Sequence, residues 1–269
     1  MICDCMESAD IGIIGGSGLY SLLDDCKDIK LDTRYGKTSD NIKIGFVGKK
    51  KVAFIPRHSI KHSIPPMNVP YLANIEAFDK LKVKRIIATN AVGSLNLKYK
   101  PGDFVLFDQF INMSHRKDTF FDATKVVHIS SADPYCEQLR GIAYKTGKRM
   151  KLKIYDKANV VIINGPRFST KAESKFFKSI GGDVINMTQY PEVVLAREKT
   201  MCYLGIGIVT DYDAGIHKNT KQVSSQEINE IFNKSISKLR KFIFNIVNEI
   251  PEQRTCMCKN SLDNAEMAK

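Results

Sequence analysis

"YLGIGIVTDYDAG", residues 203 to 215, decides how the fold is read. Residues 203–210 are apolar or small at nearly every position, and then Asp211 and Asp213 close the run. A strand covered on one face alternates apolar with polar side chains, whereas one covered on both faces is apolar throughout. The stretch is therefore a buried strand of a layered α/β fold. Residues i and i+2 of a strand share a side, so two carboxylates are expected together at its carboxyl end. Like charges repel there, so something must make such an arrangement worthwhile.

The same pattern recurs outward from this stretch. Strands are predicted over "IGII" 11–14, "IKIGFVG" 42–48, "VAFIP" 52–56, "VKRIIAT" 83–89, "DFVLFDQFI" 103–111, "NVVIIN" 159–164 and "DVINM" 183–187. Helical patterns lie between them: 68–81 with Pro70 near its start, 170–180 with a capping box from Thr170 to Glu173, and 191–200 opening on Pro191. Over 225–250, Ile228, Ile231, Phe232, Ile236, Leu239, Phe242, Ile246 and Val247 recur every three or four residues, one wide apolar stripe. The alternation predicts a single α/β domain over 9–250, a mixed central β-sheet flanked by helices. A polar tail with a Cys-x-Cys pair follows over 251–269.

Composition narrows the function classes. The chain has 269 residues, 43% hydrophobic and 26% charged, an ordinary globular balance. No apolar stretch approaches the roughly 18 residues of a membrane span, and "MICDCMESAD" lacks a secretory signal's basic and apolar regions. A cytoplasmic protein is expected. The net charge is +12, but the basic residues are scattered ("KKK" 49–51, "KLRK" 238–241), as solvated lysines are. Neither a nucleic-acid nor a membrane partner is expected. The seven cysteines show no zinc-finger spacing, so the expectation is no metal and free thiols, with a Cys256–Cys258 disulfide as the lesser alternative.

In open α/β sheets ligands gather beyond the carboxyl ends of the strands, and the loops there carry chemistry. "IIGGSGLY" 13–20 is a glycine-rich turn whose N–H groups suit an anion, with the Ser17 hydroxyl added. It is not a dinucleotide fingerprint, because the third glycine would fall on Ser21. Arg57 and His58 form a compact donor pair, with His62 four residues on. Asn90 follows another strand. Phe168 sits at the mouth of the capped helix, and Thr188 lies between a strand and a proline-started helix.

Taken in order, "GIIGGSGLY" 12–20, "PRHSIKHSIPPMNVPYLANI" 56–75, "TNAVGSL" 89–95, "PGDFVLFDQFI" 101–111, "VHISSADPYC" 127–136, "NGPRFSTKAES" 164–174, "DVINMTQYPEVVLARE" 183–198 and "TDYDAG" 210–215 resemble the trimeric purine nucleoside phosphorylases. Within them the likeness is greatest to the branch that cleaves 5′-methylthioadenosine. The resemblance implies phosphorolysis: phosphate displaces a purine from C1′ of its nucleoside, with no metal or organic cofactor. It implies a phosphate site of Ser17, Arg57, His58, Asn90, the backbone of Ala91, and Thr188. Met187 and His62 would lie near the ribose, Phe168 and Ser169 near the purine, and His128 would reach the 5′ pocket across a trimer interface. A homotrimer, or a dimer of trimers, is implied as well.

Asp211 is assigned by the resemblance to protonate N7 of the leaving base, with Asp213 and desolvation raising its pKa. Asp213 also suits a turn cap. An aspartate at 211 favours a 6-amino purine over a 6-oxo one. Ser225, Ile228 and Asn229 would line the 5′ pocket, and the two polar ones leave room for a 5′-hydroxyl, as in adenosine; a broader phosphorylase acting also on inosine, guanosine or methylthioinosine is the alternative.

Overall fold

The structure is a computed structural model that describes residues 7–16, 19, 23–121, 125–217 and 224–267. Its centre is β13, Cys202–Tyr212, whose nine residues from Cys202 to Thr210 are all buried. The glycines at 205 and 207 let large side chains cross it. A Cβ on Gly205 would stand 2.4 Å from both Gln189 and Phe107.

Going along the chain, β1 is Ile11–Gly15, β2 Asp24–Ile29, β3 Asp32–Thr33, β4 Gly36–Lys37, β5 Ile42–Val47 and β6 Lys50–Pro56. Then come α1 Tyr71–Lys80, β7 Arg85–Ser94, β8 Phe104–Leu106, β9 Gln109–Met113, α2 Glu137–Arg149, β10 Ile154–Tyr155 and β11 Asn159–Ile163. The last are α3 Lys171–Ser179, β12 Val184–Asn186, α4 Gln189–Glu198, β13 and α5 Ser225–Glu249. The main sheet runs β10-β8-β13-β7-β1-β6-β5-β2. Its middle (β13, β7, β1, β6) is parallel, while β8 pairs antiparallel to β13, β5 to β6 and β2 to β5, and β10 pairs parallel to β8. This is the mixed α/β sheet expected.

Two departures from the expected strands matter for the site. The run 103–111 breaks into β8 and β9, because Phe107 turns inward and β9 leaves the main path to pair with β11. The strand expected over 83–89 continues to Ser94, and its end is shared: β13 pairs along one edge while β12 pairs antiparallel through Val184–Ser94 and Ile185–Gly93. Gly93 makes that fork feasible, since a Cβ there would stand 3.0 Å from Ile185 and 3.1 Å from Asp211.

The core lies in two layers. One face of the sheet packs Phe78, Leu81, Val193 and Leu195 from α1 and α4 with their flanks. The other packs Leu139, Leu239, Phe242, Ile246 and Val247 from α2 and α5. Thr170 caps α3 by accepting from Glu173 N–H, and Glu173 returns the bond, as the sequence predicts. The carboxyl half of the α5 stripe is buried, but Ile228, Ile231, Phe232 and Ile236 are only half-buried. Residues 251–267 fold back on the body: Arg85 donates to the carbonyls of Pro251 and Glu252, and Arg254 to that of Thr200.

Candidate active site

The parallel strands deliver their ends to one side, and Arg57 is the first group there. It follows β6, with its N–H donating to the Gly15 carbonyl at 3.0 Å at the end of neighbouring β1. The side chain is buried. Its Nε and Nη2 grip the Glu192 carboxylate at 2.5 and 2.9 Å, and Nη1 donates to the Thr89 carbonyl at 2.8 Å. Burial alone would lower the guanidinium pKa, but the paired Glu192 more than offsets this and raises it. A guanidinium has five N–H groups, so one on each terminal nitrogen remains for an anion. The bidentate fork expected for phosphate is held by Glu192 instead. Glu192 also accepts from the Tyr203 hydroxyl at 2.6 Å.

His58 follows. Its Nδ1 lies 2.8 Å from the Ile64 carbonyl and, facing an acceptor, carries the proton. Burial, then the neighbouring Arg57 charge, lowers its pKa to about 4. The ring is therefore neutral at pH 7, and Nε2 is an acceptor. His62 stacks at a tilt against it, with centroids 4.9 Å apart. His62 itself is exposed, in a turn with φ 51°.

A buried amide network orients the next donors. Gln189 Nε2 donates to Asn90 Oδ1, which leaves Asn90 Nδ2 to donate to Thr188 Oγ1 at 2.8 Å. Asn186 Oδ1 accepts from the N–H groups of Thr188 (2.7 Å) and Gln189 (2.9 Å), and its Nδ2 donates to the Ala91 carbonyl at 3.1 Å. The Thr188 hydroxyl thus accepts from Asn90. Its own proton has only a 3.4 Å contact to the already doubly engaged Asn186 Oδ1, so it can turn to an anion.

Asp211 and Asp213 stand over Gly93, whose Cβ position is 3.1 Å from Asp211 Oδ2 and 3.6 Å from Asp213 Cβ. They are adjacent, but not through strand alternation: the β13–β7 register shifts between Val209 and Asp211, and Asp213 lies beyond the strand. Burial, first, and then the Asp213 charge raise the Asp211 pKa to about 6, with Glu227 adding to this and a 2.7 Å hydrogen bond from Thr210 opposing it. Asp213 is buried, and its Oδ2 accepts from Ser174 Oγ at 2.6 Å. The pair therefore divides the labour: one aspartate is anchored to α3, and the other is poised to hold a proton.

Phe168 is half-buried, and the Ser169 hydroxyl beside it is buried with no hydrogen-bond partner among the described residues. Met187 packs its sulfur on Gly165, where a Cβ would come within 2.5 Å of it. Arg116 fixes this corner, donating to the carbonyls of Met187 (2.6 Å), Tyr190 (2.8 Å) and Asn164 (2.8 Å). Ser17 lies outside the described residues. His128 is exposed on a segment joined to the C-terminal residues by its N–H to the Ala265 carbonyl, 2.8 Å. Sequence reading missed Glu192, Gln189, Asn186, Ser174 and Arg116. "NMTQYPE" and "STKAES" quote most of them, but their roles depend on pairing with distant segments.

Comparison with known proteins bears on the whole chain. The phosphorylase superfamily profile matches residues 10–248. The S-methyl-5′-thioadenosine phosphorylases of Thermofilum pendens and Saccharolobus solfataricus are 45% and 44% identical, the first over 97% of this chain and 99% of its own, the second over 96% and 97%. The methylthioadenosine phosphorylase of Schistosoma mansoni, solved with adenine, superposes with a TM-score of 0.90 at 33% identity, covering 96% of this chain and 99% of that one. A methylthioadenosine phosphorylase from an antarctic soil metagenomic library superposes at 0.92 with 38% identity, covering 97% and 93%. With a family profile spanning nearly all of the domain and relatives matched end to end, this chain belongs to the phosphorylase superfamily.

Proposed function

We propose that this chain cleaves 5′-methylthioadenosine with inorganic phosphate, releasing adenine and 5-methylthioribose-1-phosphate. The observation that carries the reading is one juxtaposition at the strand ends. A buried cation with two N–H groups uncommitted among the described residues and a network-oriented Asn90–Thr188 donor pair lie at the same end of the sheet as an aspartate whose pKa is raised to about 6.

In this mechanism Arg57, Asn90, Thr188, the Ala91 backbone and Ser17 hold the phosphate below the sugar. Neutral His58 accepts through Nε2 from a protonated phosphate oxygen. A phosphate oxygen bonds to C1′ as the C1′–N9 bond breaks, and the bonding pair passes into the purine. Asp211 delivers its proton to N7 and is reprotonated from solvent after the base leaves. Burial, with Asp213 held beside it by Ser174, lets Asp211 keep its proton up to about pH 6, well above an ordinary aspartate. Such positioning and charge stabilisation is the main contribution a protein makes to a reaction of this type.

Ser169, its hydroxyl buried and without a partner among the described residues, faces the purine alongside Phe168, and Met187 and His62 border the ribose. His128 reaches the 5′ group of a neighbouring protomer in a homotrimer. Adenosine is the second substrate, because Ser225 and Asn229 at the start of α5 are polar and exposed. A single-substitution mutant of the adenosine/methylthioadenosine phosphorylase of Schistosoma mansoni, solved with methylthioadenosine, superposes with a TM-score of 0.86 at 35% identity, covering 92% of this chain and 93% of that one. The influence of Glu227 on Asp211 supports a 5′ pocket at that helix start. The protein works in the cytoplasm, and no helix among the described residues is long and apolar enough to cross a membrane.

The test is a panel of methylthioadenosine, adenosine, inosine, guanosine and methylthioinosine, each with and without phosphate, following base release. Phosphate-dependent adenine release, fastest from methylthioadenosine, is expected. Release without phosphate, or inosine cleavage far exceeding both adenine nucleosides, overturns the reading.

A further inference from the structure

Four cysteines from three separate parts of the chain meet at the end of the sheet away from the strand-end donors. Cys136 immediately precedes α2, Cys202 opens β13, and Cys256 and Cys258 flank Met257 at the short helical turn Met257–Asn260. Cys136, Cys202 and Cys258 are buried and Cys256 is half-buried. All four Sγ atoms lie within 4.8 Å of one another, with Cys202 and Cys256 3.3 Å apart. Sulfurs bonded at about 2.3 Å to a tetrahedral zinc ion stand about 3.8 Å from each other. The four thiols therefore need to change their separations by no more than about an ångström to enclose such an ion.

We propose that Cys136, Cys202, Cys256 and Cys258 form a tetrathiolate site for a soft divalent cation, zinc first, which pins the C-terminal segment to the body of the domain. An all-sulfur donor set selects a soft ion over magnesium or calcium. Four protein ligands leave no open position, so the site is structural. Cys202 and Asp211 are nine residues apart on one strand, roughly 30 Å, which separates it from the phosphorolytic chemistry. Binding changes no oxidation state; each thiol that ligates releases its proton to solvent.

The surroundings suit a dianionic thiolate cluster. The Cys258 backbone hydrogen-bonds the Cys256 sulfur, and the guanidiniums of Arg85 and Arg254 tie the flanking segment to the body. The clamp continues past the cysteines. Ser261 Oγ donates to the Arg197 carbonyl at 2.6 Å, His128 N–H to Ala265 at 2.8 Å, and Met267 N–H to Val126 at 3.1 Å. An ion here would order the segment that carries His128.

The full chain, purified reduced and anaerobically, is incubated with zinc, desalted and analysed for metal. About one zinc per chain is expected, retained by Cys26→Ser and lost by Cys202→Ser. Should Cys202→Ser fail to fold, cobalt substitution of the unaltered chain decides: intense tetrahedral cobalt–thiolate absorption is expected, with alkylation by iodoacetamide at these four cysteines appearing only after chelation. Zinc well below one equivalent overturns the proposal. So does a cobalt spectrum without thiolate charge transfer, or a reduced chain that, returned to air with zinc present, is oxidised by dioxygen to two disulfides among these cysteines in place of binding zinc.

Discussion

At Asp211, burial disfavours the carboxylate and holds the carboxyl proton up to about pH 6 instead of the usual 3.8. The folded state thus binds this proton more tightly than the unfolded chain. The residue is without cost below the ordinary value and destabilises the fold as pH rises through about 6. Asp211→Asn should therefore be more heat-stable than the parent at pH 8, by about 1–3 kcal/mol, and no more stable at pH 4; thermal melts at the two pH values check this. The same substitution removes the proton donor. It should lower kcat/KM for adenine nucleosides about a hundred- to ten-thousand-fold and abolish the alkaline limb of the pH profile. Thr188→Val makes a narrower cut. It leaves Asn90 without its acceptor and the anion without a hydroxyl, so KM for phosphate should rise roughly five- to a hundred-fold while nucleoside KM changes little.

Elements place these residues, and their legibility follows from packing. The buried strands were readable because apolar runs covered on both faces have no other stable home, and the α3 cap because its hydrogen bonds are local. The forked end of β7 was not. Asn90 and Gly93 interrupt the apolar pattern, and what keeps the backbone extended is pairing with β12 and β13, far away in sequence. For the same reason the four-cysteine cluster escapes a spacing test, since its members come from three segments. The Arg57 fork looked free for phosphate because Glu192 is 135 residues distant. Gly205 illustrates how an element tunes the site. A Cβ there would meet Gln189 Oε1 at 2.4 Å and Tyr135 at 3.0 Å, and Gln189 orients Asn90. Gly205→Ala should cost about 1–3 kcal/mol by overpacking and raise KM for phosphate as well, both read from melts and steady-state kinetics.

Across the whole molecule, the half-buried apolar stripe at the start of α5 and the exposed His128 suit a larger assembly. Sedimentation equilibrium should give a trimer or a multiple of three, and His128→Ala should raise KM for methylthioadenosine more than for phosphate. A monomer with full activity would remove His128 from the site. Phosphorolysis here requires an anion below the sugar and a protonated carboxyl above the purine in one cavity. A crystal of this chain grown with sulfate and adenine measures that directly. Sulfate within hydrogen-bond reach of Arg57, Asn90 and Thr188, with adenine N7 on Asp211, is the predicted result; adenine bound away from Asp211, or sulfate absent from the Arg57 loop, contradicts it.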